Sequence, residues 1–351
     1  MCAQASRTYS FPAMKRLLSL LAAAGILAVT LFASTSLGSS SNLGAQDSIH
    51  PVAVHTNTTV EAAAASLRED TASGADAKLQ PHYDFYADRW GIARIGAPDA
   101  WLSATFTPAL VAVLDTGIAP DTHFKDRLVG AVDFTSSGTT DDEHGHGTHM
   151  ADTIAGIAPN AQILNAKVAD HRGRCDSTTV AQGIRWAADR GAQIINVSLE
   201  VAHSTQLEDA VSYAWNKGAV IIVAAGNSGT TNATYPAAYM NTIAVAGTNR
   251  DDALAVLSNH GDWVDIAAPG QKIVAHSLEG ELTYETGTSP AAAHVSGVAA
   301  LLFGLDSSDV VDELTNDAVR HALLSSAEGI SLSGTGSGLV SAPAAVTSLG
   351  S

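Results

Sequence analysis

The sequence predicts an α/β fold: a doubly wound, mostly parallel sheet with helices on both faces. Three observations carry this. Short apolar runs recur at Ala109–Leu114, Gln162–Val168, Gln193–Leu199 and Ala219–Ala225, and runs without regular polar alternation mark strands buried on both sides. Between them lie segments whose apolar residues repeat at helical spacing, and strands separated by helices of this length imply parallel pairing through crossovers. Asp115 and Asn227 fall just past two of the runs, at the carboxyl ends where open α/β sheets place their sites.

Taken in order, the chain opens with Met14-Lys15-Arg16 followed by the apolar run Leu17 to Ala33, the charged and hydrophobic regions of a secretory signal. Met14 is an alternative start. Small residues at Ala33, Ser34, Ser36 and Ala45 offer cleavage sites; the run is also close to bilayer-spanning length, so an uncleaved anchor is the alternative. Residues 1–45 are therefore expected to be a signal peptide or N-terminal anchor. The protein is expected to be secreted or held in the cell envelope, touching a membrane only through that segment if it stays uncleaved. Residues 46–79 are rich in Ala, Ser and Thr, with one short helical pattern at Val60–Arg68, and read as a short pro-segment or linker.

Residues 80–349 form the expected single domain, of a size that one core supports. His82–Tyr86 begins an arm that Trp90, Ile92, Ile95 and Trp101 can anchor. Ser177–Arg190 carries Val180, Ile184 and Ala187 on one helical face, and Thr205–Lys217 repeats Leu207, Val211 and Ala214 behind a capping box of Thr205 and Glu208. Asp309–Leu324 gives a further helix. The net charge of −17, from 35 acidic against 18 basic residues, argues against a nucleic-acid partner, which needs clustered cations. It permits a preference for basic substrates without establishing one. Two cysteines, Cys2 and Cys175, make no disulfide framework; with Cys2 lost in the leader, Cys175 is expected to be a free thiol.

The chemistry centres on Gly287-Thr288-Ser289-Pro290-Ala291-Ala292-Ala293-His294-Val295-Ser296-Gly297. It reads as a helix entered at Ser289 with Pro290 in its first turn, where a missing N–H is no loss. The serine would sit at the positive end of the helix dipole, so negative charge developing beside its Oγ is stabilised. Such a serine is ordinarily only a cap. It gains meaning from Asp115, delivered by the run Ala109–Leu114, and from His146 within His144-Gly145-His146-Gly147-Thr148-His149. A serine hydroxyl is a poor nucleophile near neutral pH until an imidazole takes its proton and a buried carboxylate holds that imidazole in the right tautomer.

These stretches, with LDTG, HGHGTHM, INVSLE, AAGNSG, YPA, APG and GTSPAAAHVSG in that order, give the chain from about Tyr83 to about Val346 its resemblance to the subtilisin family (subtilases, peptidase family S8) of serine peptidases. The order Asp, His, Ser is that of subtilisin, the type case of this arrangement. The resemblance implies the subtilisin-like version of the fold and a serine endopeptidase working on polypeptide through an acyl-enzyme, as a monomer and without a cofactor. It makes Ser289 the nucleophile, His146 the general base and then acid, and Asp115 the residue that orients the imidazole. Asn227 becomes the side-chain donor of the oxyanion hole beside the Ser289 N–H, so Pro290 removes no catalytic hydrogen bond. Ser198, Leu199, Glu200 and Gly226 become substrate-binding positions, Gly336–Val340 a closing strand, His149 a structural residue and His144 an exposed loop residue.

Departures from the pattern carry their own expectations. Ala293 stands where proline is usual, and with Glu200 it motivates a restricted processing peptidase or transacylase as the alternative. A third reading, a catalytically silent homologue that binds peptides, is opposed by the intact Asp115, His146, Ser289 and Asn227. Thr153-Ile154-Ala155 runs almost directly into Gly156-Ile157-Ala158-Pro159, so the loop that wraps a tight calcium site in many relatives is missing. No metal ligand is expected here, and a weaker calcium site elsewhere is left open. Glu200 replaces a usual glycine, either as a solvated side chain or as a contact for a basic substrate residue. Asp152 replaces another, on a helix face expected to be exposed.

Overall fold

The computed structural model describes residues 9–10, 89–306, 314–330 and 332–350. Apart from a two-residue strand, β1 (Tyr9–Ser10), the expected leader, the pro-segment with its Val60–Arg68 helix and the arm at His82–Tyr86 lie outside them. Then come α1 (Trp90–Arg94), α2 (Ala97–Ser103), β2 (Leu110–Asp115), β3 (Leu128–Asp133), α3 (His146–Ile157), β4 (Gln162–Lys167), α4 (Ser177–Asp189), β5 (Ile194–Val197) and α5 (Thr205–Asn216). The chain continues with β6 (Val220–Ala224), β7 (Thr242–Thr248), β8 (Ile266–Pro269), β9 (Ile273–His276), β10 (Leu282–Glu285), α6 (Thr288–Phe303), α7 (Asn316–Ser325) and α8 (Ala342–Leu349).

Seven strands in the order β3-β4-β2-β5-β6-β7-β8 form one sheet, and every neighbouring pair is parallel. The apolar runs are continuous because both faces are covered. Val111 and Val113 of β2 pack with Met150 and Ile154 of α3 and Val295 and Val298 of α6. Ala112 and Leu114, pointing the other way, pack with Val180 and Ile184 of α4 and Leu207 and Val211 of α5. The same alternation divides Ile194 from Ile195 and Ile222 from Ile221. Each such aliphatic side chain contributes about 1.5–3 kcal/mol on burial, so one polar substitution on either face of a central strand is felt. Helix α6 is buried at all sixteen of its residues, which is why its sequence is apolar nearly all round. β9 and β10 form a separate antiparallel pair, joined by β1 on β10.

Several local expectations are corrected. The cap of α5 is Ser204, whose side chain accepts from Leu207 N at 3.2 Å; Thr205 is already helical, so the capping box was placed one residue late. The reciprocal box belongs to α4, between Asp176 and Thr179. Gly336–Val340 forms no strand: Leu339 makes isolated bridges to Ala267 and Glu328. The helix expected over Asp309–Leu324 is described as Asn316–Ser325, capped by Thr315, with residues 307–313 outside the description. Cys175 is disulfide-bonded rather than a free thiol; the one other cysteine, Cys2, lies outside the described residues. Ile92 and Ile95 are buried and Trp101 donates its indole N–H to the Ile157 carbonyl at 2.8 Å, closing the end of α3. Trp90 stays at the rim, donating to Lys272 O at 3.2 Å. Among the described residues no helix is long and apolar enough to cross a membrane.

Candidate active site

Strand β2 ends on Asp115 between β4 on one side and β5 on the other, where the winding of the sheet reverses. Its carboxylate is fully buried. Oδ1 accepts from Thr116 N at 2.8 Å and faces His146 Nδ1 at 2.7 Å. With a carboxylate opposite it, Nδ1 is the protonated ring nitrogen, which turns Nε2 toward the cleft.

His146 is the first residue of α3, and Asp142 fixes its approach. Asp142 Oδ1 accepts from the N–H groups of His144 and Gly145, both at 2.9 Å, and from Thr116 Oγ1 at 2.8 Å, while Oδ2 accepts from Thr148 N at 2.9 Å and Thr148 Oγ1 at 2.7 Å. Lys167, at the end of β4 and fully buried, braces the same loop through the Asp141 carbonyl at 2.7 Å and Glu143 Oε2 at 2.9 Å. Gly147 has to be glycine, since a Cβ there would lie 2.1 Å from the Gly117 carbonyl oxygen. The loop is thus locked to β2 from both sides.

Ser289 is the second residue of α6, one place later than expected for a helix entered at the serine. It is 7% exposed. Its hydroxyl donates to the Ser198 carbonyl at 3.2 Å, not to His146, and Ser198 Oγ returns a bond to the Ser289 carbonyl at 3.2 Å. Behind this pair Asn196 donates to Ser198 Oγ at 3.0 Å and accepts from Ser296 Oγ at 2.9 Å, tying the start of α6 to β5.

A second carboxylate stands across the imidazole from Asp115. Glu285, at the end of β10 and 3% exposed, brings Oε2 to 3.8 Å from His146 Nε2. Burial opposes the imidazolium, but Asp115 and Glu285 outweigh it and push the histidine pKa up to about 9. Below that value both ring nitrogens carry protons and Nε2 offers no lone pair. Burial in turn pushes the Glu285 carboxyl up to about 7. Any reaction that requires neutral His146 should accordingly have its acid limb of kcat/KM on the alkaline side. Glu285→Gln removes a charge that favours the imidazolium and should move that limb to lower pH by roughly 1–3 units. Coincident pH profiles for wild type and variant would show that Glu285 does not set it.

Asn227 lies in the loop after β6. Its Oδ1 accepts from Thr288 N at 2.8 Å and from Thr288 Oγ1 at 3.1 Å, which commits the carbonyl and fixes the amide with its NH2 as the remaining donor. Asn259 holds the loop in place, donating to the Ala225 carbonyl at 2.9 Å and accepting from Ser228 N at 3.1 Å and Thr230 N at 3.2 Å. Gly226 has a positive φ of 100°, and a Cβ there would lie 2.5 Å from Asn259 Nδ2 and 2.9 Å from Glu200 Oε2. Glu200 is therefore half-buried against the Asn227 loop, and burial raises its carboxyl pKa. Ser198 and Leu199 are buried.

The neighbouring residues divide. His149 is buried with Nε2 on the Ile273 carbonyl at 3.1 Å, and burial pushes its pKa down to about 3. His144, expected to be exposed, is half-buried 6.3 Å from the His146 ring. Asp152, also expected to be exposed, is fully buried and ion-paired with Arg89. It sits where α3 runs unbroken to Ile157. Sequence reasoning missed Arg89, Asp142, Lys167, Asn196, Asn259 and Glu285. Asn196 and Lys167 did leave a signal, each a polar residue inside a buried-strand run.

Residues 108–342 match the Subtilase family. The chain belongs to it. It is 39% identical over 271 residues to thermitase of Thermoactinomyces vulgaris, covering 73% of this chain and 94% of thermitase. It is 37% identical over 269 residues to subtilisin BL of Lederbergia lenta, covering 73% and 97% of the two chains. A match of 40% identity over 240 residues to the thermophilic serine proteinase of Bacillus sp. strain AK1 covers 64% of this chain and 58% of that protein. As a subtilase, the chain is a serine-type endopeptidase.

Proposed function

We propose that this subtilase cleaves polypeptides through an acyl-enzyme formed on Ser289, with His146 as base and acid, Asp115 as its orienting partner and Asn227 as oxyanion donor. The observation that carries the reading is the buried 2.7 Å contact between Asp115 Oδ1 and His146 Nδ1, since it sets the tautomer a serine needs. In the working state His146 is neutral, and Ser289 Oγ gives up the Ser198 carbonyl for Nε2. Its attack on the scissile carbonyl passes its proton to Nε2. His146 then gives that proton to the departing amine, and water enters by the reverse sequence to release the acid and regenerate the hydroxyl. The oxyanion meets the Asn227 amide and the Ser289 N–H. No step calls for a cofactor.

Ser198, Leu199, Glu200 and Gly226 are proposed to line the substrate cleft, with Glu200 facing a basic side chain of a bound polypeptide. The apolar leader is proposed to direct export of a monomeric enzyme, outside the cell or in its envelope. Fluorophosphonate labelling tests the central claim: the wild-type protein should be modified at Ser289, whereas a protein that stays unlabelled while thermitase reacts would be a peptide binder. Asn227→Leu keeps the bulk of the side chain and removes its donor. Its kcat should fall about 10²–10³-fold with KM little changed, a magnitude taken from subtilisin, the standard case of this donor. A variant within tenfold of wild type would remove Asn227 from the oxyanion hole.

A further inference from the structure

Away from the cleft, three side chains from three segments converge. His123 follows β2, Asp152 lies in α3 six residues beyond His146, and His276 ends β9. Asp152 Oδ1 is 3.3 Å from His123 Nε2 and 3.3 Å from His276 Nδ1, and the three atoms all lie within 4.8 Å of one another. A four-coordinate ion with bonds of about 2.0–2.1 Å spaces its ligands by about 3.3–3.4 Å. Two edges of that polyhedron already stand at this length. The third edge, between the two rings, lies within 4.8 Å and has to shorten on binding, which the His123 ring, 39% exposed, has room to allow.

We infer that His123 Nε2, Asp152 Oδ1 and His276 Nδ1 form a binding site for a divalent transition-metal ion of the Zn²⁺ class. Two imidazoles and one carboxylate suit such an ion and not calcium, which takes six or more oxygens. The carboxylate is already oriented, because Asp152 Oδ2 accepts from His276 N at 2.9 Å; His276 Nδ1 stands 3.3 Å from both carboxylate oxygens, and Oδ1 is the one that also faces His123 Nε2. Nδ1 of His276 already faces a cation: the Arg89 guanidinium lies 3.1 Å from it while also holding Asp152 Oδ2. The ion takes over the Nδ1 contact and Arg89 keeps Oδ2, so Arg89 tempers the affinity. The fourth position falls to water on the exposed His123 side. Bound there, the ion ties the loop after β2 and the β9–β10 hairpin, which ends on Glu285, to the helix that carries His146. This departs from the sequence expectation of no metal ligand, and it is independent of the catalytic roles proposed above.

The test uses the full chain freed of metal by EDTA and dialysis. At about 100-fold excess over Kd, Zn²⁺ should raise Tm by about 5–10 °C, whereas any Ca²⁺ shift should be the same in wild type and in the histidine variants. Co²⁺ in place of Zn²⁺ should give the visible absorption of a four-coordinate ion at one equivalent. His123→Ala and His276→Gln, both at partly exposed positions, should fold with near-native Tm in EDTA and lose both responses. The inference is overturned if Co²⁺ gives no such absorption, if both variants keep the Zn²⁺ shift so that other histidines are responsible, or if Ca²⁺ gives an equal shift that both variants lose.

Discussion

Ser289→Ala should lower kcat by about 10⁶ and abolish fluorophosphonate labelling, leaving the fold and the substrate KM close to those of wild type. The size is that measured for the nucleophile in subtilisin and is carried over through family membership. Its physical basis is that in the proposed mechanism Ser289 and His146 act as one unit, since the base has nothing to deprotonate once the hydroxyl is gone. His146→Ala should therefore cost about as much alone, and the double variant no more than either single one. A residual rate of roughly 10³–10⁴ over water should survive in all three, from the oxyanion donors and substrate binding. Steady-state kinetics on one peptide ester, with single-turnover measurement for the slow variants, reads all of this. A double variant slower by the product of the two single losses would mean that the residues work independently.

What the sequence disclosed and what it hid have different physical origins. The sheet was legible because its strands are covered on both faces, which forces near-continuous apolar runs such as Leu110–Leu114 and Val220–Ala224. Asp115, His146 and Asn227 were legible because glycines and short motifs flank them. Asp152 was misplaced for the opposite reason: its burial depends on partners distant in the chain. Asp152 is covered by Arg89, 63 residues earlier, and by His276, 124 residues later, and no local pattern announces such a partner. Glu285 was missed because a carboxylate at the end of an exposed-looking hairpin strand reads as solvated until α3 brings His146 against it. The cap of α5 stands one residue earlier than expected because Ser and Thr are interchangeable as cap signals, and only the backbone geometry decides between the neighbours Ser204 and Thr205.

The Arg89–Asp152 pair leads to the second large effect. Arg89 is 2% exposed and holds the Asp152 carboxylate through one terminal nitrogen and the Asp152 carbonyl through the other. Burial alone would raise the Asp152 pKa, but Arg89, with His276 and His123, holds it well below the usual carboxylate range. Arg89→Met keeps much of the bulk and strands the charge. Its cost should be about 3–5 kcal/mol, or roughly 6–20 °C in Tm for a domain of this size. Because the folded-state pKa is depressed, the pair's contribution is present above the unfolded carboxylate value of about 4 and is lost as pH falls through the folded value. The gap between wild type and Arg89→Met, measured by denaturant unfolding in EDTA, should therefore be widest near neutral pH and shrink in acid. Arg89→Met/Asp152→Ala removes the stranded charge as well and should recover more than half of the loss, since a buried pair replaced as a whole is often near neutral. If the double variant is instead as unstable as the sum of the two single ones, Arg89 contributes through packing rather than charge.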